Sequence, residues 1–130
     1  MGYPQEGLTV RRIVKASIER ANRWHNGDMN EWSALEWAGA MCGEAGEAAN
    51  AAKKLKRLEC NIESRNEPDR HFRDKQAAQL ATIKECCDTI LYAVLVMARA
   101  GCDPEDAEQA IANVFNAKSE EYGFPERLGV

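Results

Sequence analysis

Two pairs of acids are the residues best placed to do chemistry. Glu44 and Glu47 sit in MCGEAGEAAN, and Glu85 and Asp88 sit in IKECCDTILY. Each pair has acid-x-x-acid spacing, which on a helix makes the two carboxylates neighbours on one face, where like charges cost stability unless a cation or solvent intervenes. Many such pairs are simply solvated, and Glu105 with Glu108 reads that way in a chain of 21 acidic residues. Context separates the other two. Asp88 lies in CCDTILYAVLVM, where Cys87, Ile90, Leu91, Val94 and Leu95 take up nearly the whole circumference, so its carboxylate must face partly inward and needs a partner there. Glu44 and Glu47 are flanked by Gly and Ala instead of the Lys and Arg of an ordinary solvated stripe. Two antiparallel helices that bring these four together make a hard oxygen cage, suited to Mg²⁺ or Mn²⁺ and unsuited to zinc. Neither His25 nor His71 follows a glutamate by three, which argues against a di-iron carboxylate bundle.

The elements that must hold such a cage are helical. TVRRIVKASIERANRW places Val10, Ile13, Val14, Ile18, Ala21 and Trp24 at helical spacing, with Thr9 as N-cap, and predicts a helix over 9–25 that ends in HNGDMNEW. A second helix is expected from Ser33, which forms a capping box with Glu36, to about Lys56. Gly39, Gly43 and Gly46 are costly inside it, which points to close approach of another helix or a ligand. Residues 59–73 are polar and weakly periodic and read as a loop or frayed extension. Periodicity returns from Lys75 to Ala100 in a helix read as largely buried. Asp103 as N-cap, Pro104 at the first helical position and acids in the first turn start a fourth helix that stops near Gly123. With no strand-like alternation, repeat or low-complexity tract, the expected fold is all-α, a four-helix bundle-like arrangement in a single domain over 1–130.

Composition bounds the function. The chain has 130 residues, 45% apolar and 29% charged, with 17 basic against 21 acidic side chains for a net charge of −4. A length of this order buries roughly two-thirds of the unfolded surface, enough for a core without metal or disulfide staples. The acidic balance opposes coating of nucleic acid, so a phosphate ligand must be bridged by cations or met by a few local lysines and arginines. The five cysteines, Cys42, Cys60, Cys86, Cys87 and Cys102, are odd in number and lie partly in apolar runs, which fits reduced core thiols better than a disulfide framework. MGYPQEGLTVRR lacks the apolar stretch of a signal peptide, and the apolar tract around 86–98 is too short to span a bilayer, so a cytoplasmic location and no membrane partner are expected.

ERANRWHN, a following tryptophan, GEAGEAANAAKK, KECCDTILYAVLVMARAG and the FNAKSEEYGF stretch together resemble the MazG-like, all-alpha nucleoside triphosphate pyrophosphohydrolases, and more distantly dCTP pyrophosphatases and dimeric dUTPases. The resemblance spans about residues 18–124. It implies hydrolysis of a nucleoside triphosphate between the α and β phosphates, giving monophosphate and pyrophosphate, with Mg²⁺ (or Mn²⁺) held by Glu44, Glu47, Glu85 and Asp88 as metal-binding and catalytic residues. It also implies phosphate contacts from Asn116 and Lys118, and a homodimer or homotetramer in which a neighbouring subunit completes the pocket. Where the family often has a further basic residue, this chain has Tyr122, leaving Arg99 and Arg127 as substitutes. Lys53 and Lys54, two to three turns beyond the first acid pair, are further phosphate candidates, with Lys54 carried as a substrate contact. Trp24 and Trp32 flank a polar loop and are the candidates for stacking on a base whose polar edge His25 or Asn22 reads, whereas Trp37 reads as core. Two other readings stay open: a helical interaction or regulatory protein, which leaves Asp88 unexplained, and a related hydrolase acting on another phosphoanhydride such as phosphoribosyl-ATP.

Overall fold

A computed structural model describes residues 7–24, 26–60 and 67–130. It contains helices α1 (Val10–Trp24), α2 (Ala34–Cys60), α3 (Pro68–Arg99) and α4 (Ala107–Tyr122), with 3-10 turns at Met29–Glu31 and Pro104–Asp106. Among the described residues there is no strand, and the fold is all-α and bundle-like, as the periodicity predicts. The caps explain the boundaries. Thr9 Oγ1 accepts from the Arg12 amide at 3.2 Å, satisfying one of the free donors of the first turn of α1. Asp103 accepts from the Glu105 amide at 2.9 Å and so caps the 3-10 turn Pro104–Asp106 instead of α4, which begins only at Ala107, and α4 ends at Gly123, whose φ of 72° is a conformation that glycine adopts without strain.

The chain is built from two compact units, one of residues 1–34 with 94–130 and one of residues 35–93. In the first, Val14, Val94 and Ala107 form a buried cluster flanked by Val10, Ile13, Ile18, Met97, Ala98 and Cys102. Arg11 of α1 ties the start of α4 to it, through Nη1 to Glu105 Oε2 at 3.0 Å and its amide to Glu108 Oε1 at 3.2 Å. That acid pair, read as solvated, is exposed or half-buried and has this arginine as counter-ion.

The second unit is a helical hairpin made by α2 and most of α3. From Met41 onward, the residues of α2 that are not exposed are Met41, Glu44, Ala48, Ala51, Leu55 and Leu58. On α3 the matching series is His71, Lys75, Ala78, Thr82, Glu85, Thr89 and Tyr92. Steps of three and four alternate in both, which is the 3.5-residue period of a coiled-coil seam. The rings of Trp37 and Tyr92 lie 6.2 Å apart, and Glu44 adjoins Glu85 seven residues along each helix in opposite directions. One antiparallel register satisfies both contacts and sets Ala51 opposite Ala78 and Leu58 opposite His71.

Four sequence expectations change here. Residues 59–60 and 68–73 are regular helix, the helical one of the two readings and not the loop: Leu58 extends the seam of α2, and Pro68 with Asp69 suits the first turn of α3; residues 61–66 lie outside the described residues. Helix α3 is not largely buried, since Leu80, Ile83 and Ile90 are each more than half exposed and form a second stripe beside the seam. The cysteines are unpaired but not core thiols, because Cys42, Cys60, Cys86 and Cys87 are exposed and only Cys102 is half-buried. A Cβ at Gly39, Gly43 or Gly46 would meet nothing within 4 Å, so among the described residues nothing makes the close approach expected of these glycines. Gly43→Ala should therefore stabilise the protein by about 0.5–1 kcal/mol through helix propensity, read as a rise in the denaturant midpoint at unchanged m-value. A loss of stability would mean that another molecule packs on this face.

Candidate metal centre

The seam that aligns α2 and α3 carries two glutamates at positions where a coiled coil normally has apolar side chains. Glu44 on α2 and Glu85 on α3 belong to it, and Asp88 lies one turn from Glu85 on the same side. One carboxylate oxygen from each lies within 4.8 Å of the other two. Glu85 is more enclosed than Asp88, with its side chain 17% exposed against 34%. Its Oε2 is buried and has no hydrogen-bond partner. An orphaned buried acceptor of this kind is costly unless something positive completes it.

As carboxylates the three have no donor among themselves. A proton on Glu44 would supply one, and the pKa of Glu44 is held above its ordinary 4.5 by burial first, then by the charge of Glu47, hydrogen bonding with Glu85, and the charge of Asp88. Positive charge also comes from a residue that the sequence reading did not single out. Lys84 Nζ lies 2.9 Å from Asp88 Oδ2 and 3.4 Å from Glu85 Oε1, and these partners, Asp88 first, push its pKa up to about 12. The signal was present as the i,i+4 spacing of Lys84 and Asp88. Three hard oxygen donors, one of them orphaned and buried, fit a small divalent cation such as Mg²⁺ or Mn²⁺.

Of the expected acidic quartet, the structure thus brings together Glu44, Glu85 and Asp88. Glu47 is exposed, lies beside Glu44 and falls outside the group of three. Lys54 is exposed on α2. Lys53 beside it is exposed as well, and the other candidates among the described residues belong to the first unit. Trp24, at the end of α1, is 63% exposed, and the Arg20 guanidinium lies 5.2 Å from its ring centroid. The Trp32 carbonyl accepts from Arg99 Nε at 2.8 Å, which commits that arginine to the loop. His25 lies outside the described residues. Asn22 spends its Oδ1 on the Met29 amide at 2.7 Å, capping the loop after α1.

On α4, both ends of the Asn116 amide are occupied. Nδ2 donates to the Leu128 carbonyl at 2.9 Å, and Oδ1 accepts from the Leu128 amide at 2.7 Å, pinning the C-terminal segment to the helix. Arg127 donates to the carbonyls of Phe124 and Glu126, and the Tyr122 ring lies 6.2 Å from that of Phe124. Lys118 borders an apolar groove of about 780 Å³ together with Ile111, Val114, Phe115 and Phe124. No helix among the described residues is long and apolar enough to cross a membrane. No protein family, curated protein or solved structure matches the chain.

Proposed function

We propose that this protein is a Mg²⁺-dependent nucleotide pyrophosphohydrolase that converts a ribo- or deoxyribonucleoside triphosphate to the monophosphate and pyrophosphate. The observation that carries the reading is the trio of seam carboxylates, Glu44, Glu85 and Asp88, with the buried and unpartnered Oε2 of Glu85 among them. Three converging acids repel one another, and Lys84 reaches only two of them, which leaves the buried Oε2 of Glu85 for a further cation. When bound, Mg²⁺ neutralises the triphosphate, polarises the α-phosphorus and makes a nearby water more acidic. Glu44, Glu85 and Asp88 hold that charge in place, and Glu47, exposed one turn from Glu44, extends the acidic surface toward solvent. The roles of Trp24, Trp32 and His25 toward the base, and of Lys54, Asn116 and Lys118 toward the phosphates, belong to the same proposal. A protein of net charge −4 meets a polyanion through such bridging and a few local basic side chains.

The homo-oligomer expected from the resemblance is part of this reading. Leu80, Ile83 and Ile90 make a stripe of large apolar side chains along α3 that one chain leaves in water, and such a stripe is what a second copy would cover. The solution mass by light scattering should then be at least twice 14.5 kDa. A monomer across the micromolar range would refute the oligomer.

The deciding experiment incubates the purified protein with each ribo- and deoxyribonucleoside triphosphate and Mg²⁺, then separates monophosphate plus pyrophosphate from diphosphate plus orthophosphate. The first pair of products, formed only with the metal, supports the proposal. No metal-dependent turnover of any triphosphate, or the second pair, rejects it.

A further inference from the structure

Lys84 is the cation that the carboxylates already hold. Its ammonium is 2.9 Å from Asp88 Oδ2 and 3.4 Å from Glu85 Oε1, so it engages two of the three groups assigned to the divalent ion. Its order along α3, lysine before aspartate at i,i+4, is the weaker of the two orientations for stabilising a helix, and so the contact is poorly explained as support for α3. The side chain is 69% exposed, which leaves the ammonium free to swing into water without unpacking anything.

We propose that Lys84 is a built-in counter-ion which occupies the carboxylates in the metal-free protein and competes with the divalent cation for Asp88 and Glu85, setting the metal concentration at which the centre fills. The proposal rests on the metal reading above. A divalent ion bound at Asp88 requires an oxygen at roughly 2.1 Å. An ammonium hydrogen-bonded to that carboxylate then faces a double positive charge and is driven off. Lys84 in this role touches no substrate. It is a positioning residue that keeps the acids close enough to be filled and yields when they are.

Mn²⁺ binding to the 130-residue protein, measured by calorimetry for wild type, Lys84→Met, Lys84→Arg and Glu85→Gln, tests this together with thermal melts with and without the metal. Lys84→Met is expected to bind Mn²⁺ about two- to fivefold more tightly, the range an exposed ion pair can supply. Its melting temperature should fall without metal and match wild type when Mn²⁺ saturates the site, a split that a purely structural lysine would not produce. Lys84→Arg should keep wild-type affinity. If wild type binds Mn²⁺ and Glu85→Gln does not, while Lys84→Met binds no more tightly than wild type, the counter-ion role is overturned and the metal centre stands. If wild type binds no Mn²⁺, both fall.

Discussion

Glu85→Gln and Asp88→Asn should each lower Mg²⁺-dependent triphosphate hydrolysis by at least about 100-fold, roughly 2.7 kcal/mol of transition-state stabilisation, without loss of helix content. Both substitutions keep the shape of the side chain and remove one of the charges proposed to hold the ion. Glu85 is the more enclosed of the two and carries the orphaned oxygen, so its replacement should also abolish measurable Mn²⁺ binding. Glu44→Gln should share the loss of activity but move stability the other way. The folded-state pKa of Glu44 is raised above 4.5, by burial and then by Glu47, Glu85 and Asp88, so the metal-free fold binds its proton more readily than the unfolded chain does. Stability from this group is therefore lost as pH rises through the window above 4.5 and is recovered as pH falls back to it. At neutral pH, Glu44→Gln removes that penalty and should raise the melting temperature of the metal-free protein, an advantage that fades as the pH is brought down to the unfolded value. Melts across pH for both proteins, paired with the hydrolysis assay, read both signs. Retained turnover in Glu85→Gln would sink the catalytic role, and a destabilised Glu44→Gln would mean that the carboxylate is a net structural asset.

Much of this site was legible, and what was not has a physical reason. The inward tilt of Asp88 follows from the apolar residues around it, and the placement of each acid pair on one helix face follows from its spacing. The greater burial of Glu85 was hidden because the seam of α3 runs through Lys75, Thr82 and Thr89, whose polarity masks a 3.5-residue period. The same masking made residues 68–73 read as a loop or frayed extension, since the far end of a hairpin can be helical with few apolar contacts. Caps were readable at Thr9, Asp103 and Gly123 because their chemistry is local. The exposed Leu80, Ile83 and Cys87 lie in a helix that reads as largely buried because α3 has two apolar stripes, and one chain's sequence does not say which of them a neighbouring helix of the same chain covers. Lys84 escaped notice for the opposite reason. A lysine beside acids looks like any solvated pair until the third carboxylate, from another helix, is in place.

The register that brings that third carboxylate in depends on Trp37, and Trp37→Ala should cost about 3–5 kcal/mol, the range for emptying a large buried aromatic site. Trp37 is 1% exposed and its ring meets Tyr92 at 6.2 Å with a 37° tilt, a partner drawn from the other helix of the hairpin. Trp37 precedes Glu44 by seven residues and Tyr92 follows Glu85 by seven, so the ring pair sits two turns, roughly 10 Å, from the carboxylates along the same seam. Nothing else on α2 between Trp37 and Glu44 is fully buried, which leaves the indole as the main apolar anchor at that end. Against a typical domain stability of about 5–15 kcal/mol the loss is large, and Trp37→Phe, which keeps a ring against Tyr92, should cost clearly less. The loosened register should also weaken Mn²⁺ binding in Trp37→Ala and largely spare it in Trp37→Phe. Urea unfolding followed by circular dichroism gives the first quantity, and calorimetric titration of the folded variants gives the second. A cost below about 1 kcal/mol would show that the indole is not the anchor. A full stability loss with unchanged Mn²⁺ affinity in the folded fraction would place the control of register in the apolar positions beyond Glu44, at Ala48, Ala51 and Leu55.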